Sequence, residues 1–149
     1  MVYLSPVRPA FNFPESGSES FSARIHTDPC CPNSRPQTRV SGPAVSMLAC
    51  ISGRKYLAKC SVQVMAEYSS AQVGNKSRRN VWRGQRLGEN IAAEGDSGAP
   101  LYVRVGYGEA QIIGMHIGGN DDPQTPDDFT LFHSVLDIQQ QLGVTVSLQ

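Results

Sequence analysis

The stretch Gly95-Asp96-Ser97-Gly98-Ala99-Pro100-Leu101 is the most informative part of this 149-residue chain. Glycines on both sides of a serine let the backbone turn tightly, so that two N–H groups point toward one place beside the hydroxyl. Asp96 is placed to hold this turn through an ion pair or through buried hydrogen bonds. A Gly/Asp/Ser turn occurs in ordinary hairpins too, but the Ala-Pro-Leu continuation favours a serine positioned for nucleophilic chemistry.

The composition narrows the class of protein. The chain is long enough for one domain with a real core, and its formal net charge is zero, which gives no global attraction to nucleic acid or membranes. It contains no run of about 18 apolar residues that could span a membrane, and its first residues lack the layout of a signal peptide. No His, Cys, Asp or Glu residues have metal-ligand spacing, so neither a metal nor another cofactor is expected.

The four cysteines suggest a chain without disulfides. Cys30 and Cys31 are adjacent and cannot easily pair with each other. Cys50 and Cys60 flank a short turn; in a tight hairpin Cys50 would face a residue near Leu57, so the two thiols would miss each other. Free thiols fit a reducing compartment.

The pattern of apolar residues predicts an all-β protein. Residues 1–39 contain six prolines and are expected to be irregular. Residues 40–149 are predicted to form one antiparallel barrel of about six strands followed by a short helix. Strands are expected on both sides of Gly53, at 101–105, at 110–117 and at 129–132, with loops at 75–86 and 121–128.

The terminal helix is predicted over 134–142. Val135, Ile138 and Leu142 share one face of it, and Gly143 stands where a left-handed cap belongs.

A second motif, Gly114-Met115-His116-Ile117-Gly118-Gly119, follows the serine loop at a short interval. Together the two motifs, over residues 87–144, resemble the C-terminal barrel of chymotrypsin-like (trypsin-like) proteases. That family has two six-stranded barrels, with His and Asp in the first and Ser in the second. The second motif is most similar to the pocket strand of viral 3C-like processing proteases. The resemblance implies a serine-type endopeptidase that acts on a polypeptide in viral polyprotein processing.

The resemblance also assigns roles to individual residues. Ser97 would be the nucleophile, and the backbone of Gly95, Asp96 and Ser97 would form the oxyanion hole. His116 and the 117–119 edge (Ile117, Gly118 and Gly119) would bind the substrate. A neutral imidazole N–H can donate to a side-chain amide oxygen, which suits Gln or Glu before the scissile bond. A buried core histidine is the alternative reading of His116.

Three departures from the family pattern qualify that assignment. Most viral relatives use a cysteine nucleophile, and Ser97 depends more strongly on its general base than a thiol would. In the family a hydroxyl residue five positions before the nucleophile helps to bind the substrate amide. This substrate-binding position is Ala92 here, and because Ala cannot donate, strict Gln specificity is not expected. The final Leu148-Gln149 matches what Gln-directed self-cleavage would leave.

The third departure is that the catalytic His and Asp of the family have no counterpart here. Residues 1–39 are too few for a first barrel, and Met1-Val2-Tyr3-Leu4 resembles the strand that follows the catalytic acid. The resemblance therefore implies a truncated C-terminal half that needs an upstream N-terminal barrel, and little turnover by the isolated chain. His26 is a second candidate for the base but lacks the family's context, and His133 is expected to have a capping or surface role.

A basic segment surrounds Trp82, and its cations are Lys76, Arg78, Arg79, Arg83 and Arg86. Phosphate contacts with stacking on RNA, a solvated hairpin face, and a surface for acidic substrate residues all fit this composition. Because the catalytic His and Asp of the family have no counterpart here, the alternative function is a non-catalytic half-barrel that binds peptide or RNA, or a decayed protease remnant. A viral source would place the protein in the host cytoplasm.

Overall fold

In the computed structural model the described residues are 11–12, 24–26, 34–106, 108–120, 129–146 and 148. The elements, in chain order, are β1 (Phe11–Asn12), β2 (Arg24–His26), β3 (Ser34–Val40), β4 (Leu48–Ser52), β5 (Ala58–Val73), β6 (Lys76–Gln85), β7 (Pro100–Val105), β8 (Glu109–Gly119), β9 (Phe129–Ser134), α1 (Val135–Leu142) and β10 (Thr145–Val146).

Six strands close into a barrel. They are hydrogen-bonded in the order β8-β7-β4-β5-β6-β9, and β9 pairs back with β8, so the ring has no open edge along its length. All six pairings are antiparallel. Closure satisfies backbone groups that a small open sheet would expose. The predicted all-β barrel with a short C-terminal helix is confirmed.

The barrel interior is apolar because inward positions alternate along its strands. On β5, for example, Val62 and Val64 are buried and Gln63 between them is exposed. The buried side chains of this interior form one cluster: Ala49, Ile51, Val62, Val64, Ile91, Ala92, Ala99, Leu101, Ile113 and Phe132. A second cluster lies outside this interior and includes Val135 of α1, Val146 of β10 and Cys50 of β4.

The helix begins and ends where its sequence predicts. The Ser134 hydroxyl accepts a hydrogen bond from the Leu136 amide at 3.2 Å, and Gly143 closes the last turn with φ of 62°. Val135 and Ile138 are buried. The third residue of the predicted face, Leu142, is instead 69% exposed, since it belongs to the last turn.

Two predictions of irregular structure are wrong. Residues 1–39 include β2 and most of β3, and β3 pairs in parallel with β8. Most of segment 75–86 is strand β6 (Lys76–Gln85), which pairs with β5 on one side and with β9 on the other. Its polar composition reflects the exposed outer part of a long hairpin, whereas Val81 and Gly84 are buried. The domain division at residue 40 stays a prediction, and the predicted 121–128 loop, Met1–Leu4 and the Cys30–Cys31 pair lie outside the described residues.

The prediction that Cys50 and Cys60 miss each other is also wrong, because they form a disulfide. Ala49 pairs with Val62 and Ile51 pairs with Lys59, so a bulge sets Cys50 opposite two residues, one of which is Cys60. A regular tight hairpin would have a different register. The argument for a reducing compartment loses its basis with this pairing.

Candidate active site

The serine loop lies between the barrel interior and solvent. Gly95 and Gly98 have φ of +92° and +93°, a conformation that side chains disfavour. Ser97 is exposed, whereas Asp96 and Gly98 on either side of it are buried. The two glycines therefore permit the sharp turn that presents the Ser97 hydroxyl while its neighbours face inward.

The buried Asp96 carboxylate holds this loop through backbone hydrogen bonds. It is 3% exposed. One oxygen accepts from the Ala93 amide at 2.9 Å, and the other accepts from the amides of Arg54 at 2.7 Å and Lys55 at 3.4 Å. Gly53 must be glycine here, because a Cβ at that position would lie 2.6 Å from Asp96 Oδ2. The turn between β4 and β5 is thus fitted against the serine loop.

The loop backbone is also fixed to β8. The Gly98 amide donates to the His116 carbonyl at 2.8 Å, and the His116 amide donates to the Ala99 carbonyl at 2.8 Å. The amides of Gly95 and Ser97, by contrast, donate to no backbone carbonyl of the described residues. Two donors beside an exposed hydroxyl are what stabilisation of an oxyanion requires.

A cavity of about 260 Å³ opens beside Ser97. Most of the residues predicted for substrate binding lie on its wall: Ala92, His116, Gly118 and Gly119. Ile117, the remaining one, lies on a neighbouring depression of about 390 Å³ that shares Ser97 and His116 with the first. The structure therefore brings the two sequence motifs together around the Ser97 side chain.

His116 is buried on the cavity wall, 4% exposed, and Thr130 beside it is 0% exposed. Its Nδ1 is 2.7 Å from the Thr130 hydroxyl oxygen. Nδ1 is therefore engaged by the Thr130 hydroxyl. Thr130 is not among the site residues predicted from the sequence. Its position as a polar residue at an inward position of the last strand is the one feature that could have indicated it.

The tip of the β5–β6 hairpin completes the cavity wall with Gln72, Val73 and Gly74. Val73 approaches β8 so closely that a Cβ at Gly118 would lie 2.6 Å from Val73 Cγ1. The sequence does not predict this contact. A loop is expected at 75–86, and no residue pattern indicates that the tip of the hairpin packs against β8.

The two other histidines do not complete the site. His133 lies on β9 beside the neighbouring depression, and its Nδ1 is 3.3 Å from the Asn80 carbonyl oxygen. A carbonyl only accepts, so Nδ1 is the donor. The helix cap predicted as one role for His133 is Ser134 instead. His26 is in β2, and its side chain lies outside the description. Among described side chains, no histidine is hydrogen-bonded to Ser97.

The five cations of the predicted basic segment divide into three settings. Lys76, Arg78 and Arg79 are exposed on the outer part of the hairpin. The Arg83 guanidinium lies 4.4 Å from the centre of the Phe129 ring. Arg86 donates to the Cys60 carbonyl at 2.7 Å and pairs with Glu89 at 2.9 Å. Of these five cations, Lys76, Arg78 and Arg79 are the ones that form an exposed basic surface on the described part of the hairpin.

Within the described ranges, no group of three His, Cys, Asp or Glu residues is placed to hold a metal ion. The same ranges include no helix long and apolar enough to cross a membrane.

No protein-family model and no curated protein matches the chain. Solved structures with a similar fold include a glutamic acid-specific serine protease that uses a histidine triad in substrate binding, at TM-score 0.70 and 18% identity over 88% of this chain and 63% of that one. Chymotrypsin of Cellulomonas bogoriensis has TM-score 0.69 and 21% identity, covering 90% of this chain and 66% of that chain. Protease A of Thermobifida fusca has TM-score 0.68 and 16% identity, covering 90% and 65%. The chain therefore spans slightly less than two thirds of these proteins, and it has the chymotrypsin-like fold.

Proposed function

We propose that the chain carries the nucleophile and substrate pocket of a serine endopeptidase. The observation that carries this proposal is the exposed Ser97 hydroxyl at the junction of a cavity and a loop that buried Asp96 holds in place. The similar structures are named as a serine protease, a chymotrypsin and a protease, which supports the same chemistry on this fold. The substrate class that follows is a polypeptide.

In the proposed reaction, Ser97 Oγ attacks the scissile carbonyl carbon and gives its proton to a general base. The Gly95 and Ser97 amides donate to the resulting oxyanion. Collapse of the tetrahedral intermediate expels the amine, which takes the proton back, and water then hydrolyses the acyl-enzyme. We place the base and its acid in an N-terminal barrel outside the described residues.

The cavity suits a substrate side chain with an acceptor oxygen before the scissile bond. If the Thr130 hydroxyl donates to Nδ1, neutral His116 carries its proton on Nε2 and can donate it to a Gln or Glu oxygen. The glutamic acid-specific neighbour, whose histidines act in substrate binding, supports this use of the site. The Gly-Met-His-Ile-Gly-Gly strand is the basis for proposing viral polyprotein processing as the biological role.

Hydrolysis by the native protein isolated from its source tests the proposal. We expect cleavage of peptides after Gln or Glu, and a loss of about 10³-fold or more in kcat/KM for Ser97→Ala, because the covalent step is removed. Peptide binding with no hydrolysis by either protein would contradict it and favour the non-catalytic half-barrel.

The Thr130 hydroxyl is expected to set the selectivity of the cavity. Thr130→Val keeps the side-chain shape but leaves Nδ1 without its partner, so kcat/KM for Gln or Glu substrates should fall about 10-fold or more relative to a Leu substrate. Thr130→Ser retains the hydroxyl and should stay within about 3-fold of wild type. Nitrogen chemical shifts of His116 report the ring tautomer independently of catalysis. If Thr130→Val kept the same selectivity as Thr130→Ser and the wild type, the Thr130 hydroxyl would have no such role.

A further inference from the structure

We propose that the Cys50–Cys60 disulfide positions the serine loop, and that its reduction selectively loosens the hydrogen bonds of Asp96. The catalytic consequence rests on the proposed function, whereas the mechanical coupling does not. The disulfide and the loop are connected by the turn between β4 and β5, called here the anchor turn (residues 53–57).

The anchor turn leaves β4 and β5 immediately beyond the disulfide. Ser52 pairs with Ala58, and the Gly53 amide donates to the Leu57 carbonyl at 3.1 Å, which closes the turn. Leu57 has φ of 56°, an unfavourable conformation for a side chain that tertiary contacts must maintain. The anchor turn therefore contains backbone strain at Leu57, and it keeps this conformation only if the ends of β4 and β5 that carry it stay in place.

The tip of the anchor turn supplies two of the three amides that bind Asp96. Arg54 donates at 2.7 Å and Lys55 at 3.4 Å. Gly53 lies against the same carboxylate with no space for a Cβ. Displacement of the turn would therefore remove donors from Asp96 and change the position of the backbone next to Ser97.

The disulfide lies where the β4–β5 ladder is irregular. The bulge occurs between Ala49 and Ile51, and Ser61 on the facing strand has φ of 62°. At a bulge the regular ladder hydrogen bonds are interrupted. The covalent bond between Cys50 and Cys60 joins the strands at this point, and so fixes the base of the anchor turn.

A second brace reaches Cys60 from the segment that precedes the serine loop. Arg86 donates to the Cys60 carbonyl at 2.7 Å and pairs with Glu89, and Glu89 also pairs with Lys59 at 3.2 Å. The disulfide and the contacts of Arg86 and Glu89 therefore converge on the same short stretch of β5, Lys59 and Cys60.

The bond is open to reduction from the Cys60 side, because Cys60 is half-buried whereas Cys50 is buried. A dithiol reductant attacks Cys60 Sγ as its thiolate, and Cys50 leaves as a thiolate that takes a proton. The second thiol of the reductant then attacks the mixed disulfide, releasing Cys60 as a thiol. The protein gains two electrons and two protons, and the dithiol becomes a cyclic disulfide.

Amide hydrogen exchange on the 149-residue chain tests the coupling without any substrate. We compare the oxidised protein with Cys50→Ala/Cys60→Ala, using Cys30→Ala/Cys31→Ala as the matched control. The reporters are the amides of Arg54 and Ala93, which bind Asp96. The references are Ser41, which donates to Ile112, and Val64, which donates to Met47.

We expect the Arg54 and Ala93 amides to exchange about 10-fold faster or more in the Cys50/Cys60 variant, with the references unchanged. Equal acceleration at all four amides, or none, would overturn the proposal. Reduction of the Cys30/Cys31 control by dithiothreitol gives the same comparison if the double alanine variant does not fold.

Activity separates this proposal from the proposed function. In the native protein, reduction should lower kcat more than it changes KM. The proposed oxyanion hole is adjacent to Asp96, whereas His116 and Gly118 on the cavity wall belong to β8. Selective exchange without any hydrolysis by the native protein would leave the coupling standing and contradict the protease. Hydrolysis by the native protein without selective exchange would support the protease and contradict the coupling.

Discussion

Asp96→Ala is expected to lower the free energy of unfolding by about 3 to 5 kcal/mol. The substitution removes a buried carboxylate and leaves the Ala93, Arg54 and Lys55 amides without their acceptor. It should also lower the reactivity of Ser97 by about 100-fold or more, because the Gly95 and Ser97 amides that we propose for the oxyanion hole lie on either side of Asp96. Urea unfolding gives the first quantity, and the rate of peptide hydrolysis by the native protein gives the second.

Glu94→Ala is the matched control for the stability measurement. Glu94 is an exposed carboxylate two residues from Asp96, and its removal is expected to change the free energy of unfolding by about 0.5 kcal/mol or less. Equal unfolding midpoints for Asp96→Ala and Glu94→Ala would show that the buried hydrogen bonds do not hold the loop.

Gly114→Ala is expected to destabilise the barrel by about 3 kcal/mol or to prevent folding. Gly114 is buried on β8, where a Cβ would run into the Phe132 ring and would lie 2.6 Å from the His133 carbonyl oxygen. The β9 backbone cannot withdraw from this contact without breaking the pairing that closes the ring. Urea unfolding, or the yield of folded protein, measures the effect.

Gly42→Ala is the control for that substitution. A Cβ at Gly42 would lie 3.4 Å from Leu136 Cδ1, the end of a flexible and partly exposed side chain. We expect a change of less than about 1 kcal/mol in the free energy of unfolding. If Gly114→Ala were as stable as Gly42→Ala, the close contact of Gly114 on β8 with Phe132 and His133 on β9 would be contradicted.

The fold was predictable where local chemistry decides the structure. The Ser134 cap and the Gly143 left-handed turn set the helix ends through residues within one turn of the helix. The strands at 101–105 and 110–117 were predictable from alternation around a glycine turn. Strand β6 was not, because most of its residues are polar, and its two neighbours become visible only when the barrel closes.

The disulfide illustrates the limit of register arguments. A one-residue bulge at Cys50 is enough to change which residues face each other, and nothing in the letters around Gly53 indicates it. A prediction that assumed a regular hairpin therefore separated two cysteines that the structure joins.

The candidate site was predictable in its two motifs and not in its surroundings. Ser97 and His116 belong to recognisable runs, and the structure brings both to one cavity. Thr130 and Val73 reach the same place from β9 and from the hairpin tip, as a result of strand pairing and not of proximity in sequence. Residues that act through such tertiary contacts need the fold before they can be identified.

Covalent labelling of Ser97 tests the central claim most directly. The native protein isolated from its source is treated with a fluorophosphonate, and the modified peptide is identified by mass spectrometry. We predict modification at Ser97 alone and none in Ser97→Ala. We also predict that the 149-residue chain is labelled more slowly by about 100-fold or more, because we propose that the base belongs to an N-terminal barrel. A folded native protein in which Ser97 stays unmodified, while a known serine protease in the same tube reacts, would contradict the account.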